Sequence, residues 1–267
     1  MKVVKASATI QPESMPYDIM LQSIENSARN CYKSEKNIKE NSAEKMVLML
    51  IKRGHEAMLE HGYIKVTFIC DRGISHELVR HRLFSPAQES TRYCNYGKDD
   101  IEFVLPFIWA NNLQLYRGWK EACALSEVYY KGLLSLGQKP EWARSVLNNS
   151  LKTEVDFSGN PRMWREFFKL RCDSAAHPQM RELTIPLLAK FIEQYPALFS
   201  DIGQSLLEDS LIPNAYETLK SKGGVLVSEE KLSSFLSKVK SQGERVNCTK
   251  GLEGKYLVTY VQTQPNQ

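Results

Sequence analysis

Between Tyr63 and Cys70 the apolar residues Ile64, Val66, Phe68 and Cys70 fall at every second position. That is the repeat of a strand with one buried face. Most of the rest of the chain has helical spacing. Tyr17 to Tyr32 carries Ile19, Met20, Ile24 and Ala28 one helical face apart. A second helix is predicted from Asn41-Ser42 to Arg53, with Glu44 complementing its N-terminus and Gly54 ending it. Further helices are predicted over Gly73 to Phe84 (broken before Pro86), Asn111 to Leu136, from Pro140, and over Pro161 to Cys172. Pro178 to Phe199 reads as one helix, or two separated by Pro186. Lys2 to Ile10 reads as an edge strand, and Leu151 to Phe157 alternates as another. Few strands among many helices predict an α+β fold, mixed helices around a small β-sheet.

The chain has 267 residues, enough to bury a core without staples. Its apolar share of 42% and charged share of 25% are globular values and exclude a disordered chain. The net charge of +4 is too weak to point to nucleic acid, yet leaves room for a local pocket that takes a small anion. None of the six cysteines forms a C-x-x-C pair, so they read as reduced thiols of a cytoplasmic protein. Met1 to Lys5 has no apolar signal core, and the run Met46 to Ile51 is far short of a membrane span. The chain changes character near Ile212-Pro213. Residues 1–212 read as the catalytic domain. Residues 213–267 read as a small α+β appendage: a strand at Val225 to Val227, a helix from Ser228-Glu229-Glu230 to about Lys240, and two β-prone runs around a Gly-rich turn at Lys250 to Gly254.

The chemistry concentrates at Arg80-His81-Arg82. On a helix, adjacent side chains diverge by about 100°, so the triplet cannot share one face. A solvated helix end accounts for a generic basic triplet. The residues after this one argue for more: Gln88, Glu89, Ser90, Thr91, Arg92 and Tyr93 combine hydroxyl, amide and guanidinium groups suited to a phosphate and the edge of a heterocycle. Two rivals are weaker. His76-Glu77 with His81 spaces its histidines five apart, about 140° around a helix, which is poor for a shared metal. Tyr93, Tyr96 and Trp109 with the basic residues would make an RNA-stacking surface, but the four tryptophans read better as packing residues.

Arg80-His81-Arg82, seven residues, then Ser90 resembles the R-H-R-x7-S signature of the flavin-dependent thymidylate synthases. Gly54-His55-Glu56 with Glu60-His61, Ala143-Arg144, and Asn160 to Arg171 followed by His177-Pro178-Gln179 resemble further segments of that family. The resemblance covers about residues 1 to 205. It implies methylation of dUMP at uracil C5, with methylenetetrahydrofolate as carbon donor and NADPH as reductant through FAD. It also implies a cytoplasmic homotetramer with sites at subunit interfaces, and no metal, membrane or nucleic acid. By position, Arg80, His81, Arg82, Gln88, Asn160, Arg162 and Glu166 would contact FAD, with His55 and His177 nearby. Glu77, Leu78, Val79, Arg80, Gln88, Glu89, Ser90, Thr91, Arg92 and Arg144 would hold dUMP. Arg171 would act on the uracil ring. With no G-x-G-x-x-G in the chain, the flavin would bind without a Rossmann turn. Glu166 stands where the family has Asn or His, and Ala57 and Ala87 replace more polar residues. A carboxylate at Glu166 needs a donor, for which Arg162 and Arg165 are the nearby candidates.

Overall fold

The structure, a computed structural model, describes residues 1–109, 112–204, 224–240, 246–250 and 255–260. The chain divides into two compact units. One is formed mainly by Met1–Thr9 and Val66–Phe157, the other by Ile10–Lys65 and Ser158–Thr263. Both helices and small sheets are present, as the mixed periodicity predicts.

The first unit carries two sheets. β1 (Lys2–Val4) pairs in parallel with β5 (Glu102–Val104), Val3 opposite Phe103. A four-stranded sheet runs in the order β2 (Ser7–Ile10), β3 (Ile64–Asp71), β6 (Lys152–Gly159), β4 (Ser85–Gln88). The single strand predicted over Lys2 to Ile10 is therefore two strands in different sheets. Val66, Phe68 and Cys70 on β3 and Val155 and Phe157 on β6 are fully buried, which is the predicted alternation. The long helix α4 (Leu113–Ser135) sets Trp119, Cys123 and Tyr130 against Ile101, Phe103 and Leu151. Asn112 caps it by accepting from the N–H groups of Gln114 and Leu115, and Gly137 closes it at a φ of 82°. The predicted start at Asn111 lies outside the described residues.

The main correction concerns the basic triplet. β3 passes directly into α3 (Arg72–Leu78), which Asp71 caps by accepting from the N–H of Ile74 at 2.7 Å. The helix then stops at Leu78, six residues before the predicted end. The reason is tertiary. Phe84 is buried and stacks on Phe157 at 4.2 Å with the rings 10° from parallel. Burying such a ring is worth about 1.5–3 kcal/mol. The chain turns through residues 79–84 to place it there, and Pro86 then keeps Ser85 extended. Arg80, His81 and Arg82 thus lie in a turn, not at a helix end, and Ser85–Gln88 is a strand.

In the second unit, α1 (Tyr17–Tyr32) and α2 (Ser42–Lys52) follow the predicted spans closely. A 3-10 turn, Glu56–Glu60, follows Gly54. Its exit is tight. A Cβ on Gly62 would stand 2.9 Å from both Met20 Cγ and Pro161 Cδ, so only glycine lets the turn approach the start of α6 (Pro161–Arg171). Trp164 and Phe168 of α6 pack on Phe191 of α7 (Pro178–Gln194), and Phe168 and Phe191 also meet Phe199 of α8 (Pro196–Gln204). α7 runs straight through Pro186. The break comes at Tyr195 instead, with Pro196 opening α8. Burial of Leu183, Ile185, Leu187 and Leu188 on α7 outweighs the one backbone bond that Pro186 removes.

The tail holds β7 (Gly224–Ser228), a helix Glu229–Lys240, and the antiparallel pair β8 (Val246–Lys250) and β9 (Lys255–Tyr260), in sheet order β7-β9-β8. Val227, Phe235, Val239 and Val258 form its own small core, and β8 and β9 run against α7. The change of character expected at Ile212-Pro213 and the glycines of the expected turn, in 251–254, lie outside the described residues.

Candidate active site

In the first unit, the signature residues surround the end of α3, the turn after it, and β4. Leu78 is fully buried, so only its main chain can meet a ligand; Glu77 is half-buried and Val79 exposed. Arg80 and Arg82 are exposed and make no hydrogen bond or ion pair among the described residues. His81 meets Phe84 edge-on, 6.2 Å between centroids. An arginine held apart from any carboxylate keeps its full charge for an anionic ligand.

Beyond β4 the chain makes a compact turn. The carbonyl of Ser90 accepts from the N–H groups of Tyr93 and Cys94, and its hydroxyl accepts from Arg92 N–H at 3.3 Å. Thr91 is buried and its hydroxyl accepts from Arg144 Nη1 at 3.1 Å. Arg144 follows the short helix α5 (Pro140–Ala143). Glu141 of that helix takes a hydrogen bond from Arg92 Nε at 3.1 Å, while the Arg92 guanidinium lies 5.3 Å from the Tyr93 ring centroid. Residues 91 and 144, far apart in sequence, are therefore direct neighbours. Arg144 remains exposed and has only a neutral hydroxyl as partner among the described residues.

Gln88 and Glu89 are held from behind by residues the sequence did not single out. Gln88 Nε2 donates to Ser75 Oγ at 2.8 Å and to Thr153 Oγ1 at 3.2 Å. Arg72 Nη1 donates to the Glu89 carbonyl at 3.1 Å and to Thr153 Oγ1 at 3.2 Å. The Glu89 carboxylate accepts from Tyr96 OH at 2.8 Å and stands 3.6 Å from Lys152 Nζ, which is equally close to Glu102 and Glu154. Burial and the Glu89 carboxylate push the Tyr96 phenol far up, so it stays protonated and donates. One signal for this group was legible. Thr153 is the one hydroxyl in the inward series Thr153, Val155, Phe157 of β6. The cleft of about 350 Å³ beside Lys152 and Lys2 is lined by Glu89, Asp99, Asp100 and Glu102, so its net negative charge disfavours a phosphate.

The second unit holds the remaining predicted residues. His55 is exposed ahead of the 3-10 turn. Asn160 caps α6, its Oδ1 accepting from Met163 N–H at 3.0 Å, which leaves its amide N–H groups for other partners. Arg162 pairs with Glu60 at 2.6 Å, both about half exposed. Glu166 finds its donor in Lys169, at 2.7 Å, and not in Arg162 or Arg165 as expected. Arg165 points inward. It is 2% exposed and engages both Asp201 oxygens at 2.7 Å, Glu56 at 3.4 Å and the Leu198 carbonyl. Burial pulls its pKa down, but Asp201 and Glu56 outweigh that and hold it above its usual value. Arg171, half-buried, ends α6 with its carbonyl accepting from Thr184 Oγ1 at 2.9 Å. His177 is the exposed residue that opens α7.

The donor set fits a flavin dinucleotide and a nucleotide phosphate chemically: permanently charged guanidiniums for phosphates, and amides and hydroxyls for ring edges. No group of three or more His, Cys, Asp or Glu among the described residues is placed to hold a metal ion, and no described helix is long and apolar enough to cross a membrane.

Comparison with known proteins agrees with the class that this fold and these side chains define, a nucleotide-handling α+β enzyme. The family model described as thymidylate synthase complementing protein matches residues 17–197. The chain is 32% identical over 164 residues to a flavin-dependent thymidylate synthase of Pyrococcus furiosus, covering 60% of this chain and 67% of that protein. It is 31% identical over 235 residues to one of Corynebacterium aurimucosum, covering 78% and 92%. Among solved structures it is similar to a UMP/dUMP methylase, PolB of Streptomyces cacaoi, bound with 5-Br dUMP, at a TM-score of 0.64 and 20% identity over 77% of this chain and 97% of that one. The protein belongs to the flavin-dependent thymidylate synthase family.

Proposed function

We propose that this protein is a flavin-dependent thymidylate synthase that converts dUMP to dTMP in the cytoplasm. It takes the new carbon from methylenetetrahydrofolate and its reducing equivalents from NADPH. The observation that carries the reading is the first unit's cationic display: Arg80 and Arg82 stand without partners among the described residues, and Arg144 is docked on Thr91 beside Arg92. An enzyme that must hold two phosphorylated molecules needs such uncommitted guanidiniums.

In this reading Arg80, His81, Arg82, Gln88, Asn160, Arg162 and Glu166 bind FAD, with His55 and His177 beside it. Arg92 and Arg144 hold the dUMP phosphate, aided by the hydroxyls of Ser90 and Thr91. The flavin binds without a Rossmann turn: β3 enters α3 through Asp71-Arg72-Gly73, with no glycine-rich loop. When bound and reduced by NADPH, the flavin would supply the hydride that turns the transferred methylene into a methyl group as C5 gives up its proton. Arg171 offers a permanent charge to the uracil ring and stabilises the negative charge that makes C5 nucleophilic. Ser90 binds rather than attacks. Its hydroxyl already accepts from Arg92 N–H, and among the described residues no base is hydrogen-bonded to it to activate it. We further propose a homotetramer whose sites draw on more than one subunit, and a catalytic domain of residues 1–212 with 213–267 as an appendage.

The test is direct. The purified protein, reconstituted with FAD, should absorb in the visible, bleach with NADPH under anaerobic conditions, and form dTMP from dUMP only with methylenetetrahydrofolate present. A colourless protein that fails to take up FAD would refute the reading.

A further inference from the structure

The hydrogen bonds behind Gln88 decide which end of its amide faces outward. The Ser75 hydroxyl donates to the Arg72 carbonyl at 2.9 Å, and a carbonyl can only accept. The Ser75 proton is therefore committed, so Ser75 Oγ must accept from Gln88 at 2.8 Å. The atom of Gln88 that reaches Ser75 has to be the nitrogen. Thr153 Oγ1 takes the amide's second N–H: it receives Arg72 Nη1 and Gln88 Nε2, both at 3.2 Å. Ser75 and Thr153 are almost fully buried, so water cannot replace these bonds. The other end of the amide, Oε1, has no hydrogen-bond partner among the described residues and is not among the enclosed polar atoms. It stays open to a ligand.

We infer that Arg72, acting with Ser75 and Thr153, is a positioning residue that locks the Gln88 amide nitrogen-inward, so that Gln88 meets its ligand as a hydrogen-bond acceptor for an imide N–H. Arg72 also takes hold of the Glu89 carbonyl, which fixes the backbone one residue before Ser90. An acceptor in this place selects a ring with an N–H between two carbonyls. Uracil and the isoalloxazine ring both carry that group. The inference rests on the functional reading above and deepens it at one residue.

A double-mutant cycle on the full-length protein tests it, with binding rather than turnover as the readout. FAD and its N3-methyl analogue, and dUMP and its N3-methyl analogue, are titrated by fluorescence against wild type and Gln88→Leu. For one of the two ligands, N3-methylation should cost wild type about fivefold more affinity than it costs Gln88→Leu, the net worth of one hydrogen bond. Which ligand shows that coupling identifies the ring that Gln88 reads. Arg72→Lys and Thr153→Val should each shrink the coupling while unfolding cooperatively, an effect that a merely structural role would not produce. If Arg72→Lys does not fold, Thr153→Val carries the test. Additive losses with both ligands, or a coupling unchanged in a folded Arg72→Lys or Thr153→Val, would overturn the inference while leaving the function standing. A wild type that binds neither FAD nor dUMP would sink the function and the inference with it.

Discussion

Arg165 of the second unit and Arg144 of the first look alike in sequence, each a lone arginine next to a helical apolar pattern. Their surroundings are opposite. Arg165 is 2% exposed and saturated, with Asp201, Glu56 and a main-chain carbonyl around its guanidinium. Arg144 is exposed and has one neutral partner, Thr91. The first has its charge cancelled inside the protein and ties α6 to α8 and to the 3-10 turn after His55. The second has its charge held in place but left over. A binding site is made from charges of the second kind, and charges of the first kind keep its framework rigid.

The largest effect should follow from breaking the saturated arginine. Arg165→Ala leaves Glu56, the half-exposed Asp201 and the Leu198 carbonyl without their donor and should cost about 1–3 kcal/mol of stability. Chemical denaturation would measure it. A loss below about 1 kcal/mol would mean that the node does not hold α6 in place.

Arg171→Ala should come next, and in rate rather than stability. Removing a preorganised charge from the uracil ring should lower turnover about a hundredfold, with the flavin retained. Ser90→Ala should weaken dUMP binding yet still methylate in single-turnover assays at saturating dUMP. An inactive Ser90→Ala that binds dUMP normally, beside an active Arg171→Ala, would reverse the two roles.

Arg144→Ala sharpens the contrast with Arg165 most directly. Stability should change by less than about 0.5 kcal/mol, because a surface cation with a neutral partner contributes little to folding. Loss of its charged hydrogen bonds to the phosphate should raise the KM for dUMP about tenfold or more. A stability loss as large as that of Arg165→Ala would erase the distinction.

The smallest effect concerns pH. The hydrogen bond from Lys2 at 2.7 Å, aided by Lys152, holds the Glu102 carboxyl below its ordinary value against the opposing pull of burial. A carboxylate with a lowered folded pKa stabilises the protein above its unfolded value near 4.5. That stability is lost as pH falls through the lowered folded value. Thermal melts from neutral to acid pH should show a shallower acid limb in Glu102→Gln than in wild type.

Much of this protein could be read from local rules. The alternation of β3, the helices α1 and α2, and the Pro161 opening of α6 all depend on neighbours a few residues away, and each formed nearly where it was predicted. The signature residues were legible too, because a mixed motif of arginine, histidine and serine is rarely produced by packing alone. What local rules missed was set by distant partners. α3 ends early because Phe84 is drawn onto Phe157, and α7 survives Pro186 because its burial outweighs one missing bond. The sorting of Arg165 from Arg144 and the orientation of Gln88 depend on residues far away along the chain. No helical or strand period encodes those encounters. They arise only when burial brings Asp201, Thr91, Ser75 and Thr153 within hydrogen-bond reach, where desolvation and donor geometry decide which polar groups are consumed and which stay open to a ligand.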